Sequence, residues 1–179
     1  MGIQVARFLK ADFSIIITRK LPFPDNPESG FGAIAEDGST FIFDFASIEL
    51  PEKTIERIIQ EQKQEIRRRI DVLRQRKPLP KIENRTVILV DDGIAMGSTM
   101  RASIALCQQK KAGKIVVAAP VAGHSAIHEI GKLVDEIVIV ESPPFFRAVA
   151  QVYANWYDVS DQEAVSLLKQ WVSDSSQHH

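Results

Sequence analysis

The residues with the clearest chemical potential lie in one segment, residues 86–99, which reads TVILVDDGIAMGST. Five apolar or β-branched residues end at two adjacent carboxylates, Asp91 and Asp92, and a short glycine-containing loop then leads to Ser98 and Thr99. A strand that ends in polar residues delivers them to the carboxyl edge of a sheet, which is where open α/β sheets bind ligands. The segment therefore predicts a binding site at such an edge.

The loop that follows the two acids has the composition of a phosphate-binding loop. Glycines let the backbone approach an anion closely, and the first turn of a helix offers unpaired N–H groups and the positive end of its dipole. The two hydroxyl residues can add further donors. We expect a phosphate centred on residues 95–99, with the loop as a whole supplying the contacts: Gly93, Ile94, Ala95, Met96, Gly97, Ser98 and Thr99.

The two acids need a different partner, because carboxylates repel a phosphate. Asp91 and Asp92 can accept hydrogen bonds from sugar hydroxyls, and a phosphate beside a vicinal diol describes a ribose 5-phosphate. The segment is neither a Walker loop, since the Gly-Lys-Ser/Thr ending is absent, nor a GxGxxG dinucleotide loop. Ordinary turn and helix-capping residues are the alternative, which the order of strand, acids, glycine loop and hydroxyls disfavours.

Alternating strand and helix patterns surround this segment and predict an α/β fold with a mostly parallel sheet flanked by helices. Apolar or β-branched runs predict strands at residues 14–18, 86–90, 114–119 and 136–140. An Asp-Gly pair between residues 32–35 and 40–43 predicts an antiparallel hairpin at one side of the sheet. Periodic patterns predict helices at residues 51–76, 99–111, 125–133 and 161–171.

The helix predicted at residues 51–76 is long and amphipathic, and it precedes the acidic segment. Pro51 suits its first turn, and isoleucines recur at three-to-four spacing along one face. Its C-terminal end is rich in arginine, which complements the helix dipole. We expect a solvated amphipathic helix that packs on the domain or on a partner subunit; a basic flank that attracts a phosphorylated substrate is the alternative. The last predicted helix begins after Ser160, which forms a capping box with Glu163.

Composition and charge limit the possible functions. A chain of 179 residues suits one domain, residues 1–172, followed by a disordered polar tail or tag remnant at 173–179 that contains His178 and His179. The net charge of −1 gives no sign of a nucleic-acid binder. No apolar run of about 18 residues predicts a membrane span, and charges interrupt any secretory signal in residues 1–17. The single cysteine, Cys107, is expected in the core, and we expect a reducing, cytoplasmic environment.

Two further groups of residues could contact a ligand. Aromatic residues cluster after the strand at 136–140, and their rings could stack on a nucleobase, although core packing is the alternative. The members of this cluster are Phe145, Phe146, Tyr153, Trp156 and Tyr157. His124 and His128 are spaced for a metal on one helix face, yet no zincin-type Glu follows His124, so we expect them to be structural.

The sequence VILVDDGIAMGST resembles the signature with which type I phosphoribosyltransferases bind phosphoribosyl pyrophosphate (PRPP). Residues 18–20, 24–28, 32–38 and 145–161 resemble a bacterial and archaeal branch of phosphoribosyltransferase-domain proteins, so the likeness covers nearly the whole chain. The resemblance implies transfer of ribose 5-phosphate from PRPP to a nitrogenous base, with release of pyrophosphate and with Mg²⁺. A non-catalytic module that binds PRPP or a nucleotide, or that only assembles oligomers, is the alternative.

The resemblance also implies roles for individual residues. Asp91 and Asp92 would be the catalytic pair that holds the ribose 2′- and 3′-hydroxyls. Arg19 and Lys20 would face the pyrophosphate, and residues 21–29 would form a mobile cover. Mg²⁺ would bind mainly to oxygens of PRPP, with Asp91 as an occasional ligand.

Two departures from the family pattern stand out. Met96 occupies a position where the family usually has a hydroxyl or small residue. Relatives also carry an earlier strand that ends in a Pro-Arg-Gly-Gly loop, whereas this sequence matches them only from Gly2. The resemblance therefore implies an open sheet edge, a homodimer or larger oligomer, and weak or no transferase activity with ribose-phosphate binding retained.

Overall fold

The computed structural model describes residues 1–146 and 148–176, which contain two three-stranded sheets. The antiparallel sheet has the order β1 (Thr18–Phe23), β2 (Asn26–Ala35), β3 (Thr40–Ile42). The parallel sheet has the order β4 (Thr86–Val90), β5 (Lys114–Val121), β6 (Glu136–Glu141). The helices are α1 (Gly2–Leu9), α2 (Ala46–Glu49), α3 (Glu52–Arg74), α4 (Ser98–Gln109), α5 (His124–Gly131) and α6 (Asp161–Ser176), with a 3₁₀ turn at Val149–Val152. The predicted α/β class is confirmed.

The parallel sheet consists of two consecutive βαβ units. In these units α4 connects β4 to β5, and α5 connects β5 to β6. The central strand β5 is almost continuously buried, as expected for a parallel strand covered by helices on its faces. Leu89, Ile104, Val117 and Ile130 form part of the core of this half. The carboxyl ends of the three strands meet at one edge, and that edge carries the acids after β4.

The antiparallel sheet contains two hairpins, one predicted and one not. The hairpin between β2 and β3 was predicted, and Gly38 occupies its turn with φ 95°. Residues 21–29 belong to a second hairpin, in which Phe23 pairs with Asn26; that this segment acts as a mobile cover stays a prediction. The Phe23 ring packs edge-on against Phe31, with 5.5 Å between ring centroids. This contact packs the proline-rich segment 21–29, which was predicted to be a loop, against the buried residue Phe31.

The strand predicted at residues 14–18 is wrong, because the first strand of the structure begins only at Thr18. Ile17 donates its N–H to Glu36 Oε1 at 3.0 Å, and the Ile15 carbonyl accepts from Arg74 Nη1 at 3.3 Å. The side chains of Glu36, which follows β2, and of Arg74, at the end of α3, therefore take the backbone hydrogen bonds that a neighbouring strand would make with residues 14–17. The Glu36 and Arg74 side chains form an ion pair, and each is only 8% exposed.

The long helix α3 packs against the antiparallel sheet and not against the parallel one. Its buried residues Ile58 and Ile66 join Leu21, Phe31 and Ile34 in a second hydrophobic core. The arginines near its C-terminal end pair with acids, as in the contacts of Arg68 with Glu65 and with Asp161 at the start of α6. These contacts agree with the expectation of an amphipathic helix that packs on the domain.

The C-terminal helix extends further than the sequence suggested. α6 continues to Ser176, past the expected domain end at residue 172, and Asp174 forms an ion pair with Arg7. The predicted cap at Ser160 is confirmed by a bond from the Glu163 N–H to its Oγ at 3.2 Å. His178 and His179 lie outside the described residues. None of the helices in the described part of the chain is long and apolar enough to cross a membrane.

Candidate functional site

The two acids follow β4 directly and differ in their surroundings. Asp91 donates its backbone N–H to the Ala118 carbonyl at 3.2 Å, which ties it to β5, and its Oδ1 accepts the Asp92 N–H at 3.0 Å. Burial and the adjacent Asp92 charge raise the pKa of the Asp91 carboxyl to about 6. The Asp92 side chain is exposed. The site therefore holds negative charge that the described residues do not neutralise, and hydroxyl donors or a cation would relieve it.

The loop after the acids is held against the end of β5. Ile94 donates to the Val121 carbonyl at 2.9 Å, and its own carbonyl accepts the Gly123 N–H at 2.9 Å. A Cβ at Gly93 would lie 2.8 Å from Val149, and one at Gly97 would lie 2.9 Å from Ile130. Both positions therefore need glycine for packing reasons. Gly97 also has φ 77°, a left-handed conformation that favours glycine.

The loop ends at the N-terminus of α4, which no side chain caps. The backbone N–H groups of Ser98, Thr99 and Met100 are the first of this helix, so they are oriented toward the loop with no intrahelical acceptor. The Met96 side chain is 54% exposed, so it extends into solvent and is not part of the core. These features suit an anion next to the acids.

A segment from the far end of the chain crosses the acidic end of this loop. Tyr153 donates its hydroxyl to the Asp92 carbonyl at 2.6 Å, and Val149 packs where a Gly93 side chain would be. The rings of Tyr153 and Trp156 are in contact, with centroids 5.4 Å apart. Of the aromatic residues predicted to bind a base, these two therefore lie beside the acids.

The other three members of the aromatic cluster have less contact with the site, and Tyr157 donates its hydroxyl to Glu163 on α6. Phe146 lies 3.7 Å from the position that a Gly123 Cβ would take, at the end of β5, while Phe145 is 86% exposed. Sequence reasoning missed the hydroxyl bond of Tyr153 and the packing of Val149. No periodic pattern marks either contact.

The two cations predicted to face pyrophosphate point in different directions. Arg19 and Lys20 are neighbours on β1, and successive strand residues face opposite sides of a sheet. Arg19 donates to Gln62 on α3 at 3.1 Å, and burial and the nearby Arg69 lower its pKa. Lys20 donates to the Glu28 carbonyl across the hairpin at 2.5 Å. Strand geometry therefore lets only one of the two face a ligand bound by the acids.

His124 and Ser142 lie at the same edge of the parallel sheet as the acids. Ser142 donates to the Ala122 carbonyl at 2.7 Å, and its Oγ lies 3.0 Å from His124 Nδ1. Among the described residues, no three His, Cys, Asp or Glu side chains are grouped so as to hold a metal. A hard cation at this edge could take one or two carboxylate oxygens from Asp91 and Asp92, and it would need its other ligands from a bound molecule or water.

Comparisons with known proteins agree on one family. The family model described as phosphoribosyl transferase domain matches residues 40–155. Two proteins from Mycobacterium tuberculosis, strains CDC 1551 / Oshkosh and H37Rv, have names that include the term phosphoribosyl transferase and are each 32% identical over 170 residues. The match covers 94% of this chain, which spans 38% of the length of these relatives.

A solved structure shows the same likeness in three dimensions. The crystal structure of TT1426 from Thermus thermophilus superposes with a TM-score of 0.75 at 31% sequence identity. The superposition covers 94% of this chain and 81% of that one. The similarity therefore extends over most of the chain, and it is not limited to the segment that carries the acids.

Proposed function

This chain belongs to the phosphoribosyl transferase domain family, and on that premise we propose that it transfers ribose 5-phosphate from PRPP to a nitrogenous base, with release of pyrophosphate. One observation carries the proposal: a partly buried acid pair and an uncapped helix N-terminus lie at the two ends of one loop. The first suits a vicinal diol and the second suits a phosphate. A ribose 5-phosphate presents these two groups on one molecule.

The acid pair and the loop would position the sugar and would not attack it. Asp91 and Asp92 would accept hydrogen bonds from the 2′- and 3′-hydroxyls, while residues 95–99 would surround the 5′-phosphate. With both ends held, the anomeric carbon is fixed relative to an incoming base, and such positioning lowers the barrier without a protein nucleophile. The bond from the anomeric carbon to the pyrophosphate oxygen breaks with its electron pair, a bond to a base nitrogen forms, and the proton of that nitrogen leaves to solvent.

Mg²⁺ is part of the proposal because the acid pair attracts a cation. When bound, it would supply positive charge to the pyrophosphate oxygens of PRPP, held by those oxygens together with Asp91 or Asp92. A contact to pyrophosphate from Arg19 or Lys20 remains part of the proposal, for one of the two only, because they face opposite sides of β1 and each has a protein partner, Gln62 or the Glu28 carbonyl. Tyr153 and Trp156 remain the predicted contacts to the base. We also propose a homo-oligomer, on the expectation of an open sheet edge.

Calorimetric titration with PRPP and Mg²⁺ tests the binding site. The double substitution Asp91→Asn and Asp92→Asn should weaken binding by about 3 kcal/mol or more, because each charge-assisted hydrogen bond contributes about 1.5–3 kcal/mol. Glu56→Gln is the matched control, since Glu56 is an exposed acid on α3 and should leave the affinity unchanged. Unchanged PRPP affinity in the folded double variant would remove the diol-binding assignment.

A second candidate function is a module that binds PRPP or a nucleotide without transfer. An open groove beside Asp91 favours it, because one side of the site then lacks a wall that would exclude water. Pyrophosphate release measured with a panel of purine and pyrimidine bases distinguishes the two. PRPP binding without release from any base would support the non-catalytic module.

A further inference from the structure

A histidine and a serine meet at the carboxyl edge of the parallel sheet, close to the loop after the two acids. His124 is the first residue of α5, and Ser142 directly follows β6. The Ser142 Oγ lies 3.0 Å from His124 Nδ1 and 2.7 Å from the Ala122 carbonyl oxygen. Neither side chain has a role in holding the ribose phosphate, yet these two distances determine which imidazole nitrogen carries the proton.

The hydroxyl of Ser142 has a single proton, and the Ala122 carbonyl takes it. A carbonyl oxygen can only accept, so the 2.7 Å contact requires Ser142 to donate. The serine oxygen then offers only lone pairs to His124, and the 3.0 Å contact requires Nδ1–H as its donor. In a neutral imidazole the other nitrogen has no proton. Nε2 of His124 is therefore a hydrogen-bond acceptor.

The ends of β5 and β6 hold the serine in place. Ala122 is fully buried, and its N–H donates to the Glu141 carbonyl at 3.2 Å, while its own carbonyl accepts from Ser142. Two hydrogen bonds therefore join the strand ends at the residue that orients the imidazole. Because the bond at one ring nitrogen sets the state of the other, this seat keeps Nε2 of His124 free of its proton.

The loop that would hold the ribose phosphate adjoins His124. The Gly123 N–H donates to the Ile94 carbonyl at 2.9 Å, and a Cβ on Gly123 would lie 3.2 Å from the Ala95 carbonyl oxygen. Side chains of an α-helix tilt toward its N-terminus, so the first residue of α5 directs its side chain toward the sheet edge. The His124 side chain is exposed there. A molecule bound along this loop therefore has an accessible imidazole beside it.

A predicted base contact lies next to the same residue. The Phe146 ring is 3.7 Å from the position that a Gly123 Cβ would take. Phe146 and His124 both adjoin Gly123, so a heterocycle stacked on the ring would have a hydrogen-bond acceptor near its edge. Aromatic stacking fixes the plane of such a heterocycle, and an acceptor at its edge would fix which of its nitrogens approaches the ribose.

We propose that His124 is a catalytic residue, whose Nε2 accepts the proton of the nitrogen that attacks the anomeric carbon; this rests on the proposed function. As the new bond from nitrogen to carbon forms, the N–H bond breaks, its electron pair stays on the nitrogen, and the proton moves to Nε2. Pyrophosphate leaves with the electron pair of the broken C–O bond, and the imidazolium then releases its proton to solvent. Ser142 is a positioning residue, since it accepts from Nδ1–H in both states of the ring.

This role of Nε2 selects a chemical class of acceptor. A ring nitrogen that carries hydrogen, as in purines and pyrimidines, has a proton to lose when it bonds to the ribose. A pyridine-type nitrogen has none, so an unprotonated imidazole beside it would not assist the transfer. The acceptor is therefore an N–H heterocycle.

A pair of variants separates this role from a structural one, which would need only Nδ1. His124→Asn keeps a side-chain amide that can donate to Ser142 and has no atom at the position of Nε2. Its thermal unfolding and ribose 5-phosphate affinity should match those of the unmodified chain, while kcat for pyrophosphate release should fall about 100-fold with the KM for PRPP unchanged. His128→Asn is the matched control, because His128 is exposed one turn further along α5 and should leave kcat unchanged.

Nitrogen NMR of the full chain, labelled at histidine, tests the tautomer without any turnover. At alkaline pH, where imidazoles are neutral, His124 should carry its proton on Nδ1, and Ser142→Ala should remove this preference. Bases are then added with ribose 5-phosphate and Mg²⁺ at saturation: adenine, hypoxanthine, guanine and uracil, each beside its derivative methylated at the nitrogen that would take the ribose. At least one base should shift the Nε2 resonance of His124, and its methylated derivative should not.

Three results would overturn the inference. One is a proton on Nε2 of neutral His124, and another is an Nε2 resonance that no base shifts or that a methylated derivative shifts equally. The third is undiminished pyrophosphate release by His124→Asn; if the unmodified chain releases none, the NMR results decide. Any of these with ribose 5-phosphate binding intact would remove the role of His124 alone, whereas loss of that binding in the unmodified chain would end the proposed function.

Discussion

The two sheets of this protein use charged groups in different ways. In the antiparallel half, Glu36 and Arg74 are both 8% exposed, form an ion pair, and bond to the backbone of residues 15 and 17. In the parallel half, Asp91 and Asp92 lie side by side without a cation among the described residues, and the pKa of Asp91 is raised to about 6. A buried charge that keeps its partner is tolerated by the fold, whereas like charges held together are a common mark of a binding site.

The largest expected effect comes from breaking the paired charges. Arg74→Met should lower the free energy of unfolding by about 3–5 kcal/mol, because it leaves Glu36 buried without its partner. Urea denaturation measures the change. The double variant Glu36→Leu with Arg74→Leu should recover most of the loss, and both folded proteins should bind ribose 5-phosphate normally. Weaker binding in the folded double variant would contradict the separation of the two halves.

Two glycines with a left-handed backbone allow the two halves to be compared further, because Gly38 lies in the antiparallel half and Gly97 in the parallel half. Gly97 has φ 77° and its missing Cβ would lie 2.9 Å from Ile130, whereas Gly38 has φ 95° and no atom within 4 Å of that position. Gly38→Ala should cost about 1–2 kcal/mol from backbone strain alone. Gly97→Ala should cost about 1–3 kcal/mol more, from overpacking, and should weaken phosphate binding. Thermal unfolding and phosphate titration measure the two effects. Equal costs at the two positions would show that packing around the site loop is loose.

Sequence patterns predicted the parallel half better because its contacts are local. The strand at 86–90 was predicted with its observed bounds, and the strand predicted at 136–140 ends one residue before β6 does. In the antiparallel half, residues 14–17 depend on side chains of Glu36 and Arg74, up to 59 positions distant. Sequence periodicity gives no information about partners so distant in the chain. A strand was therefore expected at residues 14–18, although side chains make the hydrogen bonds of residues 15 and 17.

The candidate site shows the same division. The order of strand, acids, glycine loop and hydroxyls predicted the segment from Asp91 to Thr99, because all of these residues are consecutive. The hydroxyl bond of Tyr153 joins residues 61 positions apart, and the sequence predicted only that its ring could contact a base. The opposite directions of Arg19 and Lys20 follow from their place within β1. The predicted strand ended at Thr18, one residue before Arg19, so the sequence did not indicate these directions.

The raised pKa of Asp91 predicts how stability changes with pH. In the unfolded chain this carboxyl titrates near its ordinary value of about 4, and in the folded chain near 6, so between these values the folded state binds more protons. The contribution of Asp91 to the free energy of unfolding is therefore greatest below about pH 4. It decreases as the pH rises toward 6, by an amount on the order of 2 kcal/mol. Asp91→Asn should remove this dependence when urea denaturation is repeated from pH 4 to 7.

Asp92→Asn is the matched variant for that titration. It removes the charge beside Asp91 and keeps Asp91 buried, so the pKa of Asp91 should be raised less. The pH range over which the free energy of unfolding decreases should therefore become narrower and end at a lower pH. Burial is the larger cause of the shift, so part of the dependence should persist. A profile identical to that of the unmodified chain would show that the two carboxylates do not interact.

The smallest expected effect concerns the segment that crosses the acids. Tyr153→Phe removes the bond from the hydroxyl to the Asp92 carbonyl, and a neutral hydrogen bond of this kind contributes about 0.5–1.5 kcal/mol. The site lies at the surface, so we expect the low end of that range, a loss of about threefold in ribose 5-phosphate affinity by calorimetry. Tyr157→Phe is the matched control, because the Tyr157 hydroxyl donates to Glu163 on α6 at 2.9 Å and not to the acids. Equal losses for both variants would mean that Tyr153 stabilises the C-terminal segment in general, whereas a loss confined to Tyr153→Phe would show that this hydroxyl positions the turn that presents Asp92.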